Sequence, residues 1–390
     1  MQPRVVFPIA GSRAWTGGLN YLANALRVVA AETPGRFDAV ILAGTDLPED
    51  DLARFRGVPG CEIVRDDALT QSARKSMLLR GLVTGRDRAV ATLLDRLEID
   101  VVFESAMFLG WRIGRPAIAW IPDLQHRLRP QMFSRGSRLR REVGFRAQIG
   151  AGRAVLVSSE DGRAACHRAY RASKGRTTVI HFAIPAPARI ADEDARAVAD
   201  RYELPADYLF MPNQFWVHKN HRLVIEALQL LREHGQDVTV MATGQQLDSY
   251  QPDHAPALLR EVERLGLQSQ FRAPGLVPYE DIMPLMVASS ALLNPSLFEG
   301  WSTTVEEGRA AGVPMLLSDL PVHREQMGEE ASYFNPHSAV SLAAALSDRR
   351  PMGEQERRAA RERAAREADR RVAAFAEEFC RLMERSASGS

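Results

Sequence analysis

The chain has 390 residues, a formal net charge of +1, 45% hydrophobic and 25% charged residues. That length fits two domains or one large one, and that apolar content excludes a disordered chain. The near-zero charge excludes a global field that would draw the protein to nucleic acid.

In chain order, the first half alternates apolar runs with amphipathic stretches. The runs are RVVFPIA, DAVILAG, DVVFES, PAIAWIP, AVLVSSE and TTVIHFAI. Near-continuous apolar strands of this kind suit a parallel sheet covered on both faces. Between the first two lies GGLNYLANALRVVAAE, whose apolar residues recur at helical spacing, a βαβ start with a Gly-Gly turn at the mouth of the helix. A Pro/Ala-rich linker is expected near residues 184–191, after which the pattern restarts. New runs follow: YLFMPN, VTVMATG, FRAPGLV, ALLNPS, PMLLSD and SYFNP. From about Pro351 the chain is Arg/Ala/Glu-rich and reads as helix, with a frayed polar tail. The simplest architecture is two doubly wound α/β domains facing across a cleft, with ligands beyond the carboxyl ends of strands.

The N-terminus has too short an apolar run for a signal peptide, and no stretch approaches the ~20 apolar residues that span a bilayer. Cys61, Cys166 and Cys380 are widely spaced and form no ligand cluster, so reduced thiols in a cytoplasmic protein are expected.

Four places carry candidate chemistry. Gly17-Gly18 opens the first helix, where backbone amides can meet an anion or simply form a tight turn. The stretch PDLQH puts Asp123 and His126 after a strand. His126 can face a cleft with Asp123 orienting it, or the Pro-Asp pair can be turn chemistry. Lysine occurs only at positions 75, 174 and 219, which gives the setting of each one weight. Lys219, in MPNQFWVHKNH, sits in a strand-to-helix loop with Asn220 as a candidate N-cap. A cation at a helix start opposes the macrodipole unless an anion lies between them.

The fourth place is FEGWSTTVEEGRAAGVP. Thr303 followed by Glu306 reads as a capping box. Glu299 and Glu307, eight residues apart, then flank a helix start whose amides, from Ser302, Thr303 and Thr304, can face phosphates. Glu306 is expected to be structural and the other two to bind. A last segment, residues 127–146, clusters arginines among apolar residues; it suits an anionic membrane or a lipid-diphosphate acceptor, or else a solvated helix face.

These residues resemble the retaining GT-B glycosyltransferases of family GT4, over both domains and most specifically in the second. The family's E-x7-E motif matches Glu299 and Glu307, its Gly-Gly loop matches Gly17-Gly18, and PDLQH and PNQFWVHKNH look like a polysaccharide-biosynthesis subgroup. The resemblance implies a first, acceptor domain over residues 1–188, a donor domain over 189–369, and a C-terminal helix, 370–390, packing back on the first. It implies that Glu299 binds donor-sugar hydroxyls, Glu307 binds ribose, and Lys219 neutralises the diphosphate. The amides of Gly17, Gly18, Ser302, Thr303 and Thr304 would hold its oxygens. His126 would lie beside the sugar and Val277 near the base, with Asn213, Gly300 and Trp301 also lining the donor site.

The implied reaction moves a sugar from GDP-mannose or a UDP-sugar to a hydroxyl of a glycan or lipid-linked acceptor in cell-surface polysaccharide synthesis. It needs no metal and no cofactor. A nucleotide-sugar 2-epimerase and a non-catalytic nucleotide-sugar binding protein are the alternatives. Two departures from the family stand out. Gln214 occupies the place of an arginine five residues before the lysine, and Ser302 replaces a glycine, which requires a negative φ there.

Overall fold

The computed structural model describes residues 2–9, 16–105, 107–247 and 251–389. Residues 10–15, which belong to the expected Gly-Gly loop, lie outside the described residues. The chain divides into two compact units, one of residues 1–183 with 371–390 and the other of residues 184–370.

The first unit holds β1 (Arg4–Pro8), β2 (Asp38–Ala43), β3 (Cys61–Arg65), β4 (Val101–Ser105), β5 (Ala117–Trp120), β6 (Ala154–Val157) and β7 (Thr177–Val179). All pair in parallel in the order β3-β2-β1-β4-β5-β6-β7. The sequence reading lacked β3, whose CEIVR has no fully buried residue: it is a half-covered edge strand without the apolar run that marks the others. The core beside β1 and β4 is aromatic, with Phe7 and Phe103 rings 5.0 Å apart. The helix Glu354–Ser388 completes it. Its Phe379 ring lies 5.8 Å from Phe103 and 6.3 Å from Phe37, and its Phe375 meets Phe182 edge-on at 5.7 Å. Arg36 clasps the same helix through Glu377 and Glu384.

After an irregular segment through residue 191, the second unit holds β8 (Tyr208–Pro212), β9 (Thr239–Thr243), β10 (Phe271–Gly275), β11 (Ala291–Asn294), β12 (Met315–Ser318) and β13 (Ser332–Phe334). Each runs through one of the apolar stretches read from the sequence. Their order is β10-β9-β8-β11-β12-β13, again parallel. Alternation along the strands feeds two cores. Leu209, Met211, Val240 and Leu293 point to one helix layer, and Tyr208, Phe210, Met241 and Leu292 to the other. The strand order reverses between β8 and β11, and an open α/β sheet binds its ligands beyond the strand ends at that point.

Candidate functional site

The loops leaving β8 and β11 meet at this switch point. After β8, Phe215 is buried and stacks on His221, with ring centroids 4.1 Å apart. A short 3-10 turn, Val217–Lys219, follows, and Asn220 adopts φ 60°. Asparagine tolerates that left-handed backbone better than most side chains. Asn220 is not the side-chain cap that the sequence suggested. Its amide instead donates to the carbonyls of Pro295 (3.1 Å) and Pro336 (2.9 Å). Leu297 N–H donates to the His218 carbonyl at 2.7 Å, so the two loops are fastened along their length.

This fastening places Lys219 against Glu299. Nζ donates to Oε1 at 2.6 Å, with the side chains only 12% and 9% exposed. Ser296 Oγ also lies 2.6 Å from that oxygen. Burial alone would raise the Glu299 pKa, but the nearby Lys219, His218 and His323 charges and the lysine hydrogen bond hold it below its usual value. The anion that answers a cation near this helix start is thus, in the structure, the Glu299 carboxylate.

The helix Thr303–Ala311 begins just beyond. Ser302, not Thr303, is its N-cap, with Oγ accepting from Val305 N–H at 3.4 Å. The third helical residue is therefore Val305, and the expected Thr303/Glu306 capping box does not form. Glu306 is fully buried, and its N–H closes the first helical bond to the Ser302 carbonyl at 3.0 Å. Ser302 has φ −86°, the negative value that a serine in place of glycine requires.

The three amides are not equivalent. Ser302 N–H is spent on Gln326 Oε1 at 3.2 Å, whereas Thr303 and Thr304 N–H have no acceptor among the described residues. Two open amides at a helix N-terminus, a lysine and two carboxylates form a set that suits an anion flanked by hydroxyls. Glu307 falls in the second turn, half-buried. Burial pushes its pKa up to about 7, and no hydrogen-bond partner faces it among the described residues.

The remaining expected residues scatter in character. Gly300 and Trp301 are half-buried between Glu299 and Ser302. Asn213, just past β8, is 2% exposed, and neither polar atom of its side-chain amide has a partner among the described residues. Val277 packs partly buried on the second unit's core, between the exposed Leu276 and Tyr279. Gln214 closes a loop contact, its Oε1 accepting from Gln245 N–H at 2.6 Å.

In the first unit, Gly17 and Gly18 lie inside the first turn of the helix Thr16–Glu32. A Cβ on Gly17 would meet nothing within 4 Å, so packing does not demand glycine there. His126 is 2% exposed, and its Nε2 lies 3.3 Å from Glu142, which also accepts from Arg127 and from the Tyr170 hydroxyl. Glu142, not Asp123, is the group that orients His126. Asp123 accepts from Gln125 N–H at 2.9 Å, the turn role of its Pro-Asp pair.

Sequence reading missed Ser296, His323 and Gln326. All three are buried and all touch the Glu299–Ser302 loop or its support. The only signal was that HREQ lies in the stretch following the paired glutamates.

Comparison with known proteins defines the class. The chain superposes on a glycosyltransferase from Rickettsia africae over 99% of its own length and 98% of that chain, with a TM-score of 0.73 and 14% identity. It superposes on Anabaena Alr3699/HepE in complex with UDP over 98% and 99% of the two chains, with a TM-score of 0.70 and 17% identity. The fold is GT-B. More particularly, residues 193–367 match the family model described as glycosyl transferases group 1, so the second unit is a domain of that glycosyltransferase family. Among curated relatives, the serotype-specific mannosyltransferase WbdA of Escherichia coli is 27% identical over 151 residues, 38% of this chain. That match spans 18% of WbdA's length.

Proposed function

We propose that this protein is a retaining, metal-independent glycosyltransferase of family GT4. It moves a sugar from a nucleotide-diphosphate sugar to a hydroxyl of a glycan or lipid-linked acceptor in cell-surface polysaccharide synthesis. The observation that carries the reading is the pairing of Lys219 with Glu299 beside the open amides of Thr303 and Thr304, at the switch point of the second sheet.

As the glycosidic bond breaks, negative charge gathers on the diphosphate. Lys219 and the two amides are preorganised donors for that charge, so their contribution grows toward the transition state. Glu299 accepts from donor-sugar hydroxyls through the oxygen not taken by Lys219, and Glu307 accepts from the ribose diol. Asn213, Val277, Gly300 and Trp301 line the donor. In the first unit, which we read as the acceptor domain, Gly17-Gly18 acts as an anion-binding helix start and His126 serves the sugar. Attack from the same face, with the leaving phosphate taking the acceptor proton, gives retention without a protein nucleophile. The occupation of Glu299 Oε1 by Lys219 and Ser296 favours a holding over a nucleophilic role for that carboxylate.

WbdA is a mannosyltransferase by name and HepE holds UDP, so GDP-mannose and UDP-sugars are the two donor classes to test. Leu128 and Leu139 stand exposed among Arg135, Arg138 and Arg140, which supports a peripheral contact with an anionic membrane face on the cytoplasmic side. The test of the function is donor hydrolysis and transfer with GDP-mannose and UDP-sugars, followed by the anomeric configuration of the product. Absence of binding to both nucleotide classes overturns the proposal; an inverted product overturns its mechanism.

A further inference from the structure

We propose that Gln326 is a positioning residue for the loop that carries Glu299 and the open amides, an inference that rests on the donor-binding role given to that loop. Gln326 belongs to the short helix Pro321–Met327 and is 1% exposed. Its side-chain amide reads both backbone groups of Ser302. Oε1 accepts from Ser302 N–H at 3.2 Å, and Nε2 donates to the Ser302 carbonyl at 3.1 Å. The serine hydroxyl is held as well, accepting from Asn294 Nδ2 at 3.0 Å. Ser302 is thus fixed on its N–H, its carbonyl and its side chain. Because the peptide group is planar, fixing the Ser302 carbonyl sets the direction of the Thr303 N–H, and the helical backbone that starts at Thr303 carries the Thr304 N–H with it.

The same helix holds the other flank. His323, fully buried one turn earlier, donates from Nδ1 to the Ser318 carbonyl at 2.8 Å. Ser318 Oγ donates to the Ser296 carbonyl at 2.6 Å, and the Ser296 hydroxyl lies 2.6 Å from Glu299 Oε1. One helix therefore orients both ends of the loop from behind, without lying among the groups assigned to the donor.

The chemistry of the position is specific to an amide. Gln offers a donor and an acceptor on one planar group, ionised Glu only acceptors, and Met no donor and only a weakly accepting sulfur at nearly the same volume. Where glycine would let the loop take several backbone states, Ser302 with Gln326 holds it in one, and preorganised donors give more transition-state stabilisation than mobile ones.

The test uses the full-length protein with Gln326→Met and Gln326→Glu. Three quantities are measured: UDP and GDP affinity by calorimetry, donor kcat and KM per folded molecule, and hydrogen exchange of the 296–304 segment. The expected result for Gln326→Met is an affinity and a kcat each lowered about tenfold or more, with at least tenfold faster exchange in that segment and exchange elsewhere unchanged. Gln326→Glu, which keeps only the acceptor side, falls between. A lowered Tm with unchanged affinity, unchanged kcat per folded molecule and unchanged local exchange overturns the proposal. If Gln326→Met does not fold, the same comparison on Gln326→Glu decides. If the wild type binds neither UDP nor GDP, the functional reading fails. Local exchange then judges the positioning role by itself, and protection unchanged in the variants overturns it.

Discussion

Replacing Lys219 by Met separates what the Lys219–Glu299 pair does for stability from what it does for turnover. At 2.6 Å and an effective dielectric of ~20, the Coulomb attraction is about 6 kcal/mol, most of it offset by removing two charges from water. Removing one partner leaves the other charge enclosed, a loss of about 3 kcal/mol at these exposures. For a unit the size of residues 184–370 that is a Tm lower by about 6–12 °C. The pH dependence changes sign as well. In the wild type the Glu299 pKa is held down, so its contribution is present above the usual carboxylate range and lost as pH falls through the folded pKa. Without Lys219, burial raises that pKa, and stability falls as pH rises. The double variant Lys219→Met/Glu299→Gln has no charge left to strand and regains most of the lost stability. Activity does not return: losing the cation at the leaving diphosphate lowers kcat about 10²–10³-fold in single and double variants alike. Denaturant unfolding and initial rates measure the two effects. A double variant as unstable as Lys219→Met refutes the coupling, and turnover within threefold of wild type in Lys219→Met refutes the role at the diphosphate.

Other expectations follow from the same geometry. The Glu307 pKa of about 7 lies above its unfolded value, so its contribution to stability is full below about pH 4.5 and declines until about pH 7, by roughly 3 kcal/mol; Glu307→Gln flattens that slope. For the same reason nucleoside-diphosphate affinity should strengthen as pH rises from 6 to 8, and calorimetry on Glu307→Gln should show a weaker trend, that of the ligand's own phosphate ionisation. Phe379→Ala, which opens a cavity beside Phe37 and Phe103, should cost about 3–5 kcal/mol in the first unit, and a loss under 1 kcal/mol would contradict the packing. Binding to phosphatidylglycerol vesicles should weaken with salt and with Leu139→Glu, whereas equal binding to phosphatidylcholine vesicles would rule out an anionic-surface contact.

Much of this was legible in one dimension because the signals are local. Strands buried on both faces are apolar nearly throughout and so appear as runs; at the sheet edges the signal weakens, and the half-covered β3 escaped, whereas the edge strands β7, β10 and β13 were read from the apolar residues in and beside them. Paired glutamates around a helix start, and a lysine in a strand-to-helix loop, likewise marked the site by their own neighbourhoods. Partners were not legible. Lys219 and Glu299 lie eighty residues apart, and Gln326 reads Ser302 across twenty-four. The cap moved by one residue, from Thr303 to Ser302, because the helix start is set by side chains of Asn294 and Gln326 that arrive from β11 and from the helix Pro321–Met327. That two parallel α/β sheets form could be read from the chain alone, because side-chain period follows from backbone geometry. The return of the C-terminal helix to the first unit was already implied by the family resemblance. Only the tertiary structure decided which charge answers which and which amides stay open, because hydrogen bonds depend on which strand ends the sheet order brings together.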